Sequence, residues 1–481
     1  MIDAHNKENT IAIVGGGASG VLTAYHLAQQ NVNARVVIID SRPQLGLGLA
    51  YSTPSLRHLL NVPAEKISAL PAEPNHFLKW LRAHHDPAAT PVTFAPRTVF
   101  GRYLQSILAT VKGLEQVHAS VVDIVPTKSG AILKLNDGFE LHADLVVLAT
   151  GNFDPATLPG ISEDAAASGA YCHNAWLDET YSNLPSDAPV ALIGAGLTGV
   201  DVVLRLRELG HRGPIIAISR HGVFPNRHAE YTPIAKSVIP IGTTPTCAAY
   251  LRLLHRAIRN GVEWRAAVDS LRETMNDLWL ALPLKEQKRF RRHLQRRWDV
   301  VRHRMAPSNA DTIDAELAAG TLVIREGHLD RVEASDRGAM VTIRTESGIE
   351  VFSAARVINC TGPSMNYRRV HSPLLNNLFA RGLLSAGPMG TGFNCTRSGA
   401  MIDANGSISR LLFNLGPGRL GTLIESIAMP EIRQQAFDLA TLLASRIEAS
   451  RIESTERPPA EDDFDAPVKE GADVDAAMVA A

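Results

Sequence analysis

Two stretches of this chain follow one plan. Residues 11–40, IAIVGGGASGVLTAYHLAQQNVNARVVIID, and residues 191–222, ALIGAGLTGVDVVLRLRELGHRGPIIAISRHG, each read as an apolar strand, a glycine-rich turn, an amphipathic helix and a second strand. The turns share the spacing G-x-G-x-x-G, with Gly15, Gly17 and Gly20 in the first and Gly194, Gly196 and Gly199 in the second. Each glycine has a mechanical reason: a tight turn, close approach of backbone to a pyrophosphate, and close packing of helix on strand. The helix N-terminus then faces the phosphate charge. A chain that carries this unit twice is restricted to an α/β fold with two Rossmann-like dinucleotide-binding domains.

The strand ends differ in sign. Asp40, followed by Ser41, closes the first unit, where a carboxylate can accept hydrogen bonds from both ribose hydroxyls of an adenosine. At the corresponding place beyond Gly194 stand Ser219 and Arg220, a hydroxyl and a guanidinium that can bind a 2′-phosphate a carboxylate would repel. An ordinary solvated cation at a strand end is the alternative for Arg220. Sites of opposite sign suggest FAD at the first turn and NADPH at the second, because a bound flavin needs an external hydride source to turn over. Ala18 and Ser19 in the first turn and Thr198 in the second complete the backbone expected against each cofactor.

A second repetition accompanies the first. Residues 117–151 and 321–362 each run through alternating segments around turn residues into an apolar strand and a terminal Thr-Gly, Thr150-Gly151 and Thr361-Gly362. These Thr-Gly ends would close the two nucleotide sites, or serve as plain strand-end turns. The expected organisation is an FAD-binding domain from 1–185 and 363–449, with an NADPH-binding domain, 186–362, inserted in it. The inserted domain carries a helical insert of its own at 246–305. Pro430 is expected to kink or break the final helix, and residues 450–481, acidic and poor in aromatics, are expected to be disordered.

Composition narrows the partners. Lys and Arg number 48 against 49 Asp and Glu, so a net charge of −1 offers no global field for nucleic acid or an anionic membrane. No apolar run approaches the ~18 to 20 residues of a membrane span, and the polar start MIDAHNKENT lacks the core of a signal peptide. A cytoplasmic location is the expectation. Four widely spaced cysteines, Cys172, Cys247, Cys360 and Cys395, fit reduced thiols and give no metal-ligand spacing, and no metal is expected. Oligomeric state is not written in the sequence.

The segments GGGASGVLTAYHL, GLGLAYSTPSLRHLLNVPA, FLKWL, PRTVFGRYL, ATGNF and LGPGRLGTLIESIAMPEIRQQA resemble bacterial FAD/NAD(P)-binding proteins related to class B flavin-containing monooxygenases and to amino-acid and amine N-hydroxylases. The resemblance covers about residues 10–445. SGAYCHNAW, with Gly169, His173 and Trp176, is similar to the class B fingerprint F-x-G-x-x-x-H-x-x-x-W/Y, but lacks the Phe and is one residue short before Trp176, which speaks against Baeyer-Villiger activity. His173 is either a functional linker histidine or one packed on Trp176. Asn61, in the proline-bounded loop the family sets beside the flavin, is the best candidate for a polar group near the ring; a turn residue before Val62-Pro63 is its alternative. Tyr51 and Arg102 are weaker candidates for cofactor or substrate contact. Gly416 begins the family's C-terminal flavin segment, although Pro417 stands where related disulfide reductases carry a ribityl-binding Asp. With no C-x-x-C either, thiol-disulfide chemistry is disfavoured.

The resemblance implies an NADPH-consuming monooxygenase acting through a C4a-hydroperoxyflavin, with molecular oxygen and a small polar substrate oxidised on nitrogen or sulfur. The alternatives are an FAD-dependent oxidoreductase or oxidase without oxygen insertion, and a non-catalytic FAD/NADP-binding redox sensor. Arg289, Arg292, Arg296 and Arg297, then Arg302 and Arg304, lie beside Trp298 in the insert, either as a clamp for an anionic substrate or NADPH phosphate or as a solvated helix face.

Overall fold

Apolar runs without polar interruption become the central parallel strands. The computed structural model describes residues 9–456. The chain first lays down β1 (Thr10–Val14), β2 (Arg35–Asp40) and β3 (Leu114–His118), then a meander of β4 (Val121–Thr127), β5 (Gly130–Leu135) and β6 (Glu140–Ala143), then β7 (Leu145–Leu148). It continues with β8 (Tyr171–Cys172), β9 (Val190–Ile193), β10 (Ile215–Ser219) and β11 (Leu322–Glu326). A second meander follows, β12 (His328–Ser335), β13 (Gly338–Thr345) and β14 (Gly348–Ala354), and then β15 (Arg356–Asn359). Finally β16 (Ala400–Ile402) and β17 (Ile408–Asn414) return to the first sheet.

The sheets are β16-β17-β7-β1-β2-β3 and β11-β10-β9-β15-β8, so the second unit is inserted in the first. β1 pairs in parallel with β2 and β7, and β9 in the same way with β10 and β15. Both meanders are antiparallel and precede the strand that flanks the glycine turn, which makes the duplication one of whole units.

Period-two alternation divides each core between two faces. Ile11, Ile13, Val36 and Ile38 pack under α1 (Ala18–Gln29), α2 (Arg97–Leu108) and the final helix, while Ala12, Val14, Val37 and Ile39 face the β4–β6 meander. In the second unit Val190, Leu192, Ile215 and Ala217 lie under α3 (Leu197–Glu208), and Ala191, Ile193 and Ile218 face β12–β14. Each fully buried aliphatic side chain contributes about 1.5–3 kcal/mol.

Two boundaries differ from expectation. The chain enters the second unit well before residue 185: Ile161 bridges Val332, and Tyr171 and Cys172 pair with Val357 and Ile358 of β15. Tyr171 is buried there against Ala191 and Val357, so the linker completes the sheet edge. The insert is five helices, α4 (Cys247–Arg259), α5 (Trp264–Asp269), α6 (Met275–Ala281), α7 (Leu284–His293) and α8 (Gln295–Arg302). The last helix, α9 (Met429–Glu456), holds Pro430 in its first turn, where a missing N–H breaks no helical bond, so no kink is needed. It also runs on through residues 450–456, which were assigned to a disordered tail; 457–481 lie outside the described residues. Among the described residues no helix is long and apolar enough to cross a membrane.

Candidate functional site

The first glycine turn is forced by its neighbours. Gly15 has φ +109°, and a Cβ there would stand 2.4 Å from the Ala149 carbonyl oxygen at the end of β7. One on Gly20 would stand 2.0 Å from the Gly15 carbonyl oxygen, so α1 can start this close to the strand only with glycine. Gly17 is the N-cap of α1, with Ala18 and Ser19 in the first turn, and faces Gly48 of the covering loop. Asp40 accepts from the Gly16 N–H at 2.6 Å and the Arg42 N–H at 2.8 Å, which fixes its carboxylate at the turn, beside the exposed Ser41. Two bonds leave lone pairs of that carboxylate for ribose hydroxyls.

Other chain segments close on this point. Gly416, at φ +79°, sits so tightly on Ser19 that a Cβ would come within 2.6 Å of its Oγ. The Gly416 N–H donates to Gln435 Oε1 at 3.2 Å and its carbonyl accepts from Ser426 Oγ at 2.6 Å, which ties it to α9. Thr150 and Gly151 leave the end of β7 beside them, and a Cβ on Gly151 would meet nothing within 4 Å.

The second turn repeats this geometry. Gly194 has φ +114° and would clash at 2.6 Å with the Cys360 carbonyl oxygen, and Gly199 at 2.6 Å with that of Gly194. Gly194 donates to Ile218 O at 2.8 Å as Gly15 does to Ile39 O at 2.8 Å. Gly196 caps α3 and, like Gly362, borders open space, with Thr198 in the following turn. Asn359 Oδ1 accepts from the Thr361 N–H at 3.1 Å and Oγ1 at 2.7 Å, which shapes the closing Thr-Gly. Ser219 is buried and Arg220 exposed at the strand end. Open backbone at Gly196, Gly151 and Gly362 leaves the room a phosphate chain requires, so each turn fits a dinucleotide.

Contacts between the units were not foreseen. Asp201 of α3 is almost fully buried, with Arg97 Nη2 of α2 at 2.8 Å from Oδ2, and its carbonyl oxygen lies 2.9 Å from His58 Nε2. His58 Nδ1 lies 2.6 Å from Thr53 Oγ1. Trp176 packs edge-on against His58 at 6.0 Å between ring centres, so it is not the partner expected for His173, whose Nδ1 lies 3.5 Å from the Tyr171 hydroxyl. The Asn61 carbonyl oxygen is 3.0 Å from His228 Nε2 of the second unit. Tyr51 packs against Phe100 with the rings tilted, and Arg102 is exposed on α2. The signal for Asp201 was a carboxylate amid the apolar stripe of LTGVDVVLRL.

The insert corrects the arginine reading. Arg302 and Arg304 are buried ion pairs, Nε to Glu425 Oε1 at 3.0 Å and Nη2 to Asp269 Oδ2 at 2.6 Å, and so form neither a solvated face nor a free clamp. Asn276 accepts from the backbone N–H groups of Ile424 and Glu425 at 3.2 and 3.1 Å, and Arg272 pairs with Glu431 at 3.1 Å. These contacts dock the insert on the segment after β17. Arg289 pairs with Glu286, Arg292 and Arg297 are exposed, and Arg296 lies over the second turn.

This docking predicts acid sensitivity. Burial, then the Arg304 charge, lowers the His228 pKa to about 4, and burial beside Arg302 and Arg272 lowers that of His303 to about 3. From about pH 6.5 down to 4 the unfolded chain binds protons that these imidazoles refuse, so stability is lost as pH falls. Burial raises Asp299 to about 6, and its folded carboxyl gains a proton over the same window, with the opposite sign. His26, pushed by burial to about 4 as well, adds to the same side, so the imidazoles outweigh the one carboxyl and stability falls as pH drops towards 5. Thermal unfolding across that range checks it; a Tm that rises on acidification contradicts it.

Residues 12–153 match the FAD-NAD(P)-binding family model. The uncharacterized protein YdhS of Escherichia coli (strain K12) is 25% identical over 242 residues, which are 46% of this chain and 43% of that protein. The chain therefore matches less than half the length of this curated relative. Among solved structures, the ornithine hydroxylase PvdA from Pseudomonas aeruginosa superposes with TM-score 0.62 at 16% identity, over 92% of this chain and 100% of that one. A Kutzneria ornithine N-hydroxylase, KtzI, with reduced FAD, NADP+ and L-ornithine, gives 0.62 at 14% identity over 92% and 100%. The bacillithiol disulfide reductase of Bacillus cereus gives 0.53 at 15% identity over 92% and 100%. The two-unit fold is thus shared by hydroxylases and reductases.

Proposed function

We propose that this FAD-NAD(P)-binding chain is a flavin-dependent oxidoreductase that consumes NADPH and oxygenates a nitrogen or sulfur atom of a small polar substrate. The observation that carries the reading is the pair of matching glycine turns closed by groups of opposite charge, Asp40 and Arg220. Asp40 would hold the ribose hydroxyls of FAD, and the backbone at Gly17 its pyrophosphate, with Gly151 and Gly416 against the rest of the cofactor. Gly196, Gly362, Ser219 and Arg220 would hold NADPH. Bound flavin supplies hydride acceptance and, once reduced, reactivity towards molecular oxygen. The protein's own part is to orient the two cofactors and to exclude water, through Arg97–Asp201, His58 and the docked insert. Asn61 and His173 are assigned places near the reacting atoms on the family resemblance.

Oxygenation is favoured over thiol-disulfide exchange by the cysteines: Cys247, Cys360 and Cys395 are buried, and burial raises each thiol pKa, the opposite of what a reactive thiolate needs. The test is product formed per NADPH consumed across a panel of amines, amino acids and thiols, with hydrogen peroxide measured in parallel. One oxygenated product per NADPH with some member of the panel fits the proposal. NADPH oxidation that always ends in peroxide, or passes to another electron acceptor, leaves a plain oxidase or reductase.

Cofactor choice gives a sharper test. Arg220→Ala is expected to raise KM for NADPH by roughly tenfold to a hundredfold, the worth of a charge-assisted contact, and KM for NADH by far less. Equal changes for both would remove Arg220 from the 2′-phosphate.

A further inference from the structure

The helical insert reaches the second glycine turn at one residue. Arg296 of α8 donates through Nη2 to two backbone carbonyls, Ala195 at 3.3 Å and Val223 at 2.8 Å. Ala195 is the middle residue of Gly194-Ala195-Gly196, and Val223 lies three residues past Arg220, so one guanidinium spans the site from the turn to the strand end. The loop is held along the helix by the Asn226 N–H, which donates to the Val300 carbonyl at 3.0 Å.

Both bonds use the same nitrogen, and among the described residues Nε and Nη1 of Arg296 make no bond. Burial lowers the Arg296 pKa, the Asp299 charge on the same helix raises it, and Arg220 is near enough that its charge lowers it again. Neither arginine has a carboxylate at ion-pair distance among the described residues, whereas Arg302 and Arg304 of the same stretch each have one. Asp299 offsets part of this charge without pairing, and Glu326 lies beside Gly222, so what the two guanidiniums offer an anion beside the helix N-terminus is their unbonded donors.

We infer that Arg296 is a second ligand of the 2′-phosphate, so that the insert, and not the inserted unit alone, selects NADPH over NADH. This deepens the proposed function and rests on its reading of the second turn as the NADPH site. Arg220 would hold the phosphate from the strand end and Arg296 from above, with the backbone carbonyls keeping the Arg296 fork in place.

The experiment is titration of the FAD-loaded protein with NADP+ and with NAD+, followed calorimetrically, for the wild type and for Arg296→Ala and Arg296→Lys. The wild type should prefer NADP+. Arg296→Ala should weaken NADP+ roughly tenfold to a hundredfold and NAD+ by no more than about threefold, and Arg296→Lys should fall between. Should the alanine variant fail to fold, the lysine variant still decides, because a retained charge without the fork must narrow the NADP+ preference several-fold. A wild type that prefers NADP+ with variants that keep that preference overturns the role of Arg296 alone. A wild type that binds both nucleotides equally overturns the reading of the second turn, and this inference with it.

Discussion

Asp40→Ala is expected to give a protein that purifies without the yellow colour of FAD. The carboxylate has two tasks in the structure. It accepts from the Gly16 and Arg42 N–H groups at 2.6 and 2.8 Å, and it is placed where ribose hydroxyls would meet it. Removing it leaves two backbone donors without partners and deletes charge-assisted contacts worth about 1.5–3 kcal/mol each. Affinity should fall by two orders of magnitude or more, enough to lose the cofactor during purification. Asp40→Asn keeps an acceptor for one of the two N–H groups and should retain an intermediate flavin content. The ratio of flavin absorbance to protein absorbance measures both, and an alanine variant as yellow as the wild type excludes the first turn as the FAD site.

Asp201→Ala carries the second large effect. The side chain is 4% exposed and its partner Arg97 18%, so truncation strands a guanidinium between the two units. Breaking a buried pair from one side costs about 3–5 kcal/mol, and here the loss falls on a contact that joins α2 to the helix behind the second glycine turn. Chemical denaturation should therefore show either a lowered midpoint or separate unfolding of the two units. NADPH-driven flavin reduction should slow even where both cofactors still bind. The double substitution Arg97→Met with Asp201→Leu should recover much of the stability, since an apolar pair leaves no charge behind. Unchanged denaturation in the single variant would remove the pair from the interface.

These two residues also mark how far the sequence can be read. Asp40 was legible because its constraint is local: a glycine turn, a helix and a strand determine what stands at the strand end. Gly15, Gly20, Gly194 and Gly199 were legible on the same ground, since a positive φ or a backbone contact within a few residues admits little else. Asp201 was not, because its partners Arg97 and His58 come from another unit and no local pattern encodes them. Helical spacing grouped Arg296, Arg302 and Arg304 together, yet their surroundings separate them: Arg302 meets a carboxylate beyond the insert, Arg304 one on a helix within it, and Arg296 backbone carbonyls. The short strand Tyr171–Cys172 was missed because two residues carry no periodicity, and only the open edge of β15 gives them a place.

The order of strands in the first sheet bears on how the molecule is made. β7 lies between β1 and β17, but β17 is more than two hundred residues further along the chain, beyond the whole inserted unit. During translation β7 therefore emerges with one row of peptide groups unpaired, and the row stays so until the C-terminal strands leave the ribosome. In that interval the inserted unit, whose own strands are contiguous in the chain, is free to fold first and to hold the two halves of its host near each other. Truncations that stop short of residue 408 should accumulate as aggregates rather than as a partly active flavoprotein.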